Sequence, residues 1–199
     1  MLFMKLTRGR PKAFNEDEAV AKAMNYFWEH GYDNASLEKL LPAMGIKKSS
    51  FYHTFKSKEE LFSRTLHLYR EQTQKEFTNL KNEIGAKNAL LMMLTLTMDE
   101  LKSTGKVKGC LLISSGQECY NKYPHLNQQI AREYNYFLKL FEETVEEAKN
   151  KGEIKNPLSA NKIAGRYLSS INGLLVTIQA GAPQSVLDDL VESLKEILE

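Results

Sequence analysis

Apolar residues recur three and four positions apart along most of this chain. Val20, Ala23, Met24, Phe27 and Trp28 form one such face, the period of an amphipathic helix. Asn15 precedes it as a cap with Glu18 three residues on, and Glu16 and Asp17 place negative charge where the helix dipole is positive. Gly31 supplies the residue on which such a helix ends. Leu37, Leu40 and Leu41 make the inward side of a short second helix capped by Ser36, with Pro42 in or near its last turn. After Gly45 a third short helix is predicted over about residues 47–55, burying Phe51 and Phe55, with Ile46 just ahead of it. Ser57, with Glu60 three residues later, caps a fourth helix that runs through Leu61, Phe62, Leu66 and Tyr69 towards Phe77. Further helices are predicted near 87–102, 109–120, 126–149, 159–179 and 184–198, punctuated by Gly and Pro. Nothing alternates with period two for long enough to form a sheet. The fold is expected to be all-α.

The 199 residues, 42% hydrophobic and 26% charged, suit a soluble globular protein with a proper core. No run approaches the ~20 apolar residues of a membrane helix, and Met1–Phe3 is too short for a signal-peptide core. A cytoplasmic protein without membrane partners is expected, with Cys110 and Cys119 reduced. The net charge of +2 is uninformative, but its distribution is not. Residues 1–70 hold twelve Lys or Arg against eight Asp or Glu, and Lys5, Arg8, Arg10 and Lys12 supply the excess. A basic arm on a nearly neutral body suits attraction to phosphate, as it also suits a solvated terminus.

Residues 36–55 read as helix, glycine turn, helix, the arrangement that projects a second helix into a major groove. With Leu37, Leu40, Leu41, Ile46, Phe51 and Phe55 turned inward, the second helix presents Lys47, Lys48, Ser49, Ser50, Tyr52 and His53. All are hydrogen-bond donors or cations, and none is acidic, which suits phosphates and base edges. The stretch from Gly45 through Phe51-Tyr52-His53-Thr54-Phe55-Lys56-Ser57-Lys58-Glu59-Glu60-Leu61 to Phe62, with Phe27 to Tyr32 upstream, resembles the DNA-binding domain of the TetR family of repressors. The resemblance covers under a third of the chain. It implies a flexible arm over 1–13, a helix-turn-helix domain over 14–56, and a larger helical ligand-sensing and dimerisation domain over 57–199. It further implies that Ser36, Lys48, Ser50, Tyr52, His53 and Lys58 approach DNA, Tyr52 and Lys58 at phosphates, with Arg8 and Arg10 reaching a neighbouring groove. One departure stands out: Lys47 occupies the cap of the recognition helix, where the family usually has Ser or Thr. A lysine cannot accept the free backbone amides there.

In the remainder, Ile163, Tyr167, Ile171, Leu174, Leu175 and Ile178 form one stripe, and Leu187, Leu190, Val191, Leu194 and Ile197 another. These are candidates for a homodimeric four-helix interface, as the resemblance also implies, or for packing within one chain. Candidate walls of a small-molecule pocket are Phe62, Leu66, Tyr69, Met92, Met93, Leu96, Gln117, Tyr134, Phe137 and Phe141, the alternative for each being core packing. The Gly109-Cys110-Leu111 segment resembles that of TetR-like regulators responding to electrophiles or oxidants. A thiol at a helix start beside Lys106 and Lys108 can be activated as thiolate; a buried, inert Cys110 is the alternative. The two sulfurs, nine residues apart on one helix, are expected on opposite faces about 13 Å apart.

An enzyme finds no seat here. The histidines at 30, 53, 67 and 125 are scattered, with no metal spacing, nucleophile elbow or phosphate-cradling glycine loop. No cofactor is expected. The reading is a repressor released from a palindromic operator by a small molecule or electrophile; a sequence-neutral architectural DNA-binding protein is the alternative.

Overall fold

A computed structural model describes residues 14–199. Among them are nine helices and no strand: α1 (Glu16–His30), α2 (Leu37–Met44), α3 (Lys48–Phe55), α4 (Lys58–Ile84), α5 (Ala86–Thr104), α6 (Leu111–Cys119), α7 (Pro124–Asn150), α8 (Ala160–Gln179) and α9 (Gln184–Ile197). Helices α1, α2, α3 and the start of α4 pack around Ala23, Phe27, Leu40, Phe51, Phe55, Leu61 and Phe62, all nearly sealed from solvent. The rest of α4 continues into a larger bundle, in which α7 lies along α8 and α9 covers α8.

The local code explains most boundaries. The Asn15 side chain accepts from the Glu18 amide at 3.2 Å, and Ser57 Oγ from the Glu60 amide at 3.0 Å. Ser36 occupies the cap of α2 without a side-chain cap bond. Pro42 lies inside α2 at an exposed position, at the cost of one internal bond. Helix α4 runs beyond Phe77 to Ile84, because Leu80 and Ile84 extend the same apolar face onto the core. Helix α7 begins at Pro124, whose missing N–H costs nothing in a first turn. Helix α6 begins at Leu111 rather than 109, since Gly109 at φ +79° cannot be helical. Cys110 is therefore the residue before the helix, and Cys119 its last.

The apolar stripes of α8 and α9 are largely consumed within the protomer. Tyr167, Ile171, Leu174, Ile178, Leu187 and Leu194 are buried in the single chain, so they are core residues rather than a partner-facing surface. Tyr167 shows why. Its ring meets Phe141 edge-on at 5.7 Å, and its hydroxyl donates to the Leu90 carbonyl at 2.6 Å. Burial pushes that phenol well above its ordinary pKa. Helical spacing identified a buried stripe correctly but carries no information on whose helix buries it. Leu175, Leu190 and Val191 remain half-buried, while Val176 and Val186 stay exposed.

Candidate nucleic-acid interface

Helix α3 is fixed by its aromatic side. Phe51 and Phe55 are 1% and 0% exposed, their ring centroids 5.6 Å apart. The Arg64 guanidinium lies over the Phe55 ring at 5.2 Å, donates to the Thr54 carbonyl at 3.2 Å, and pairs with Glu16. One arginine of α4 thus ties the end of α3 to the start of α1. With that side committed, Lys47, Lys48, Ser49, Tyr52 and His53 are exposed and Ser50 is half-buried, while Ser36 is exposed at the start of α2. Lys47 has the extended backbone of a helix cap (φ −84°, ψ 154°) but makes no side-chain cap bond. The first amides of α3 are left as donors beside two lysines, a setting favourable to an anion. Just past the helix, exposed Lys56 takes a positive φ of 62°, and the Ser57 amide returns to the Phe55 carbonyl at 2.6 Å. This tight reversal places a further cation beside the helix, one that residue pattern alone did not single out. Arg8 and Arg10 lie outside the described residues.

Lys58 departs from the expectation of a phosphate contact. Its ammonium is turned inward, donating to the Tyr32 carbonyl at 2.8 Å and sitting 4.1 Å over the Tyr32 ring. A cation is disfavoured at a helix start, and here a carbonyl and an aromatic face compensate it. Burial lowers the pKa of Lys58 and raises that of Tyr32 to about 12. Tyr32 is enclosed by Phe27, Phe62 and Tyr123 at centroid distances of 6.0, 4.9 and 5.0 Å. Its neighbour Asp33 accepts from Lys122 Nζ and Tyr123 Oη, both at 2.6 Å. Those bonds hold the Asp33 carboxyl below its usual range.

The second candidate site lies across α6 and α7, where a groove of about 590 Å³ is lined by Leu112, Ile113, Gly116, Gln117, Asn127, Ile130, Tyr134 and Asn135 among others. Gln117 and Tyr134 were expected at a pocket; the other candidates are elsewhere. Phe62 and Leu66 are sealed in the core, Phe137 packs on Tyr69, and Phe141 packs on Phe77 and Tyr167. Met92 and Met93 are half-buried on α5, and Leu96 is 56% exposed, so it walls no cavity. Phe62, Leu66, Phe137 and Phe141 were drawn into packing, and the groove is walled instead by Leu112, Ile113, Ile130 and Tyr134 with three amide side chains. Their spacing on α6 (112, 113, 116, 117) and α7 (127, 130, 134) was the available signal.

The two thiols differ sharply. Cys119 is buried, which pushes its pKa up to about 11. Cys110 is half-buried, and its sulfur accepts from the Tyr69 hydroxyl at 3.7 Å. Lys108, expected beside this thiol, instead donates to Asn25 Oδ1 at 2.8 Å and lies 4.1 Å over the Trp28 ring. Trp28 in turn meets Tyr69 edge-on at 5.0 Å.

A helix-turn-helix unit with a cationic outer face, carried on a larger helical body, defines the class of regulatory proteins. Residues 19–65 match the family model of bacterial regulatory proteins of the tetR family, and 86–194 match the tetracyclin repressor-like C-terminal domain. The chain belongs to the TetR family. It is similar to the HTH-type transcriptional repressor ComR of Escherichia coli (strain K12), 35% identical over 114 residues covering 56% of this chain and 54% of that one. That match spans about half of ComR. The HTH-type regulator YezE of Bacillus subtilis (strain 168) is 26% identical over 81% of this chain and 84% of its own. Among solved structures, a cysteine-substituted CifR in complex with 26-bp double-strand operator DNA aligns over 96% of this chain and all of its own, with 26% identity and a TM-score of 0.80. The matched proteins are regulators of transcription, not enzymes.

Proposed function

We propose that this protein is a transcriptional repressor that binds double-stranded operator DNA as a homodimer and leaves it when a small molecule binds. The observation carrying this reading is α3: aromatics turned into the core, and Lys47, Lys48, Ser49, Tyr52 and His53 outward with no acid among its residues. Phosphates are taken by the lysines, Tyr52 and the first amides of α3, and base edges by Lys48, Ser50 and His53. Two copies of α3 related by a two-fold axis enter grooves about one helical turn, ~34 Å, apart. The exposed Val176 and Val186, with half-buried Leu175, Leu190 and Val191, form the partner-facing side of α8 and α9. The inducer occupies the α6–α7 groove. Its walls carry the amides of Gln117, Asn127 and Asn135 and no ionised group, which suits a neutral molecule with an apolar body and hydrogen-bonding ends. Release requires that this molecule prefer the dimer state whose two α3 helices no longer match successive grooves.

A second trigger is favoured by the placement of Cys110 at the start of the same helix. Addition of its thiol to an activated alkene forms a C–S bond and leaves the thiol proton on the adjacent carbon. The adduct crowds Tyr69 and the beginning of α6.

Selection of bound duplexes from a random pool tests the proposal, followed by release with N-ethylmaleimide. A two-fold symmetric sequence, bound far more tightly than random DNA, is the expected product. Uniform binding of all duplexes points to the architectural alternative and refutes the repressor reading. Release that persists in Cys110→Ser removes the thiol trigger.

A further inference from the structure

The turn between α1 and α2 is gripped from outside the DNA-binding unit. Glu118, near the end of α6, accepts the Tyr32 amide on one carboxylate oxygen and the Asp33 amide on the other, both at 2.7 Å. These successive donors follow the end of α1, where backbone amides and carbonyls need partners from elsewhere. Gly31 makes the approach possible. It holds φ +79°, and a Cβ there would come within 3.0 Å of the Glu118 carboxylate. The carbonyl of the same turn is taken by Lys58, and the Asp33 side chain by Lys122 and Tyr123. Amides, carbonyl and side chain of one short turn are thus bound by α6, by α4 and by the segment joining α6 to α7.

We infer that Glu118 is a positioning residue, clamping the helix-turn-helix unit to α6 in the orientation that engages DNA; this rests on the DNA-binding reading above. Three observations carry it. The clamp joins positions 86 and 85 residues apart, so it is a contact between units and not a local turn device. It adjoins Gln117 in the wall of the α6–α7 groove, so a molecule seated there acts on the same helix. The chain as a whole, at a TM-score of 0.80, aligns over 96% of its length with a CifR variant complexed with operator DNA. A displacement of α6 by about 1 Å carries both bonds out of hydrogen-bonding range. The other ties to this turn, from Lys58, Lys122 and Tyr123, reach its carbonyl and the Asp33 side chain, so the two amides depend on Glu118 alone among the described residues.

Glu118→Gln keeps the size of the side chain but sets an NH₂ against one of the two backbone donors, and Glu118→Ala removes both acceptors. Three quantities are read for each: amide hydrogen exchange at Tyr32 and Asp33, affinity for a duplex selected by the wild-type chain, and the salt dependence of that affinity. Exchange accelerates at least tenfold at both amides in Glu118→Ala and at the one facing the NH₂ in Glu118→Gln. Affinity falls by about tenfold, an ordinary size for coupling between sites, and the salt slope stays at the wild-type value because no phosphate contact is lost. Thermal unfolding of Glu118→Gln confirms a folded chain. Wild-type exchange rates in both variants, or accelerated exchange with undiminished affinity, overturn the inference. Weakened binding with a reduced salt slope also overturns it, since Glu118 would then act through phosphate contacts. A wild-type chain that enriches no duplex refutes the DNA-binding reading itself, a distinct result.

Discussion

Replacing Lys47 by Ser separates stability from DNA binding, because the two respond with opposite sign. Lys47 already holds the extended geometry of a helix cap and donates no acceptor to α3. A serine hydroxyl at that place accepts one of the free amides, and a good cap contributes about 1 kcal/mol. For a chain of this size that gain raises the unfolding midpoint by roughly 2–4 °C. Lys47 is exposed, so no packing is lost. On DNA the same change removes one cation per recognition helix, two per dimer. Each phosphate contact contributes about 0.9 to the slope of log affinity against log salt, so the slope becomes shallower by about 1.8. Across 50–200 mM salt, wild-type affinity then falls about tenfold more than that of the variant. Calorimetry gives the midpoint, and fluorescence anisotropy with the selected duplex gives the slope. A variant with an unchanged slope refutes the placement of Lys47 at a phosphate. A lowered midpoint refutes the account of the uncapped α3.

Tyr167→Phe removes the hydroxyl that reaches Leu90 and is expected to cost about 1 kcal/mol, read as a midpoint lowered by roughly 2–4 °C. Glutamates at both Val176 and Val186, each 42% exposed in the single chain, are expected to give folded monomers in sedimentation velocity; an intact dimer would place the partner elsewhere. Cys119 has a folded pKa raised to about 11, so the stability tied to its protonated thiol is complete below its unfolded pKa of about 8.5 and is lost as pH rises through 11. A midpoint falling over that window in wild type, and falling less in Cys119→Ala, is the expected result. Iodoacetamide at pH 8 should label Cys110 and spare Cys119; equal slow labelling of both removes Cys110 from the proposed chemistry.

The DNA-binding half of the fold was legible because each instruction in it is local. Asn15 and Ser57 cap their own helices, Gly31 and Gly45 make their own turns, and the Phe51–Phe55 spacing decides which side of α3 faces out. What pattern could not supply were pairings across the chain. Nothing local to Glu118 shows that it will meet amides at 32 and 33, and nothing at Lys58 shows that Tyr32 will claim its ammonium. The stripes of α8 and α9 could not be divided either: Tyr167, Ile171, Leu174, Ile178, Leu187 and Leu194 are buried within the chain while Leu175, Leu190 and Val191 are half-buried, and one apolar period serves an internal or an external neighbour equally well. The groove was anticipated only through Gln117 and Tyr134, for a different reason. Size and aromaticity were taken as marks of a pocket, whereas Phe62, Phe137 and Phe141 bury too much apolar area to be left facing one.

The central claim is that the outward side of α3 is where DNA lies, and lysine acetylation with and without the selected duplex tests it directly. Lys47 and Lys48 should lose most of their reactivity when duplex is bound, while Lys139, exposed on α7, reacts at an unchanged rate. Undiminished acetylation of Lys47 and Lys48 in the bound state would contradict the account.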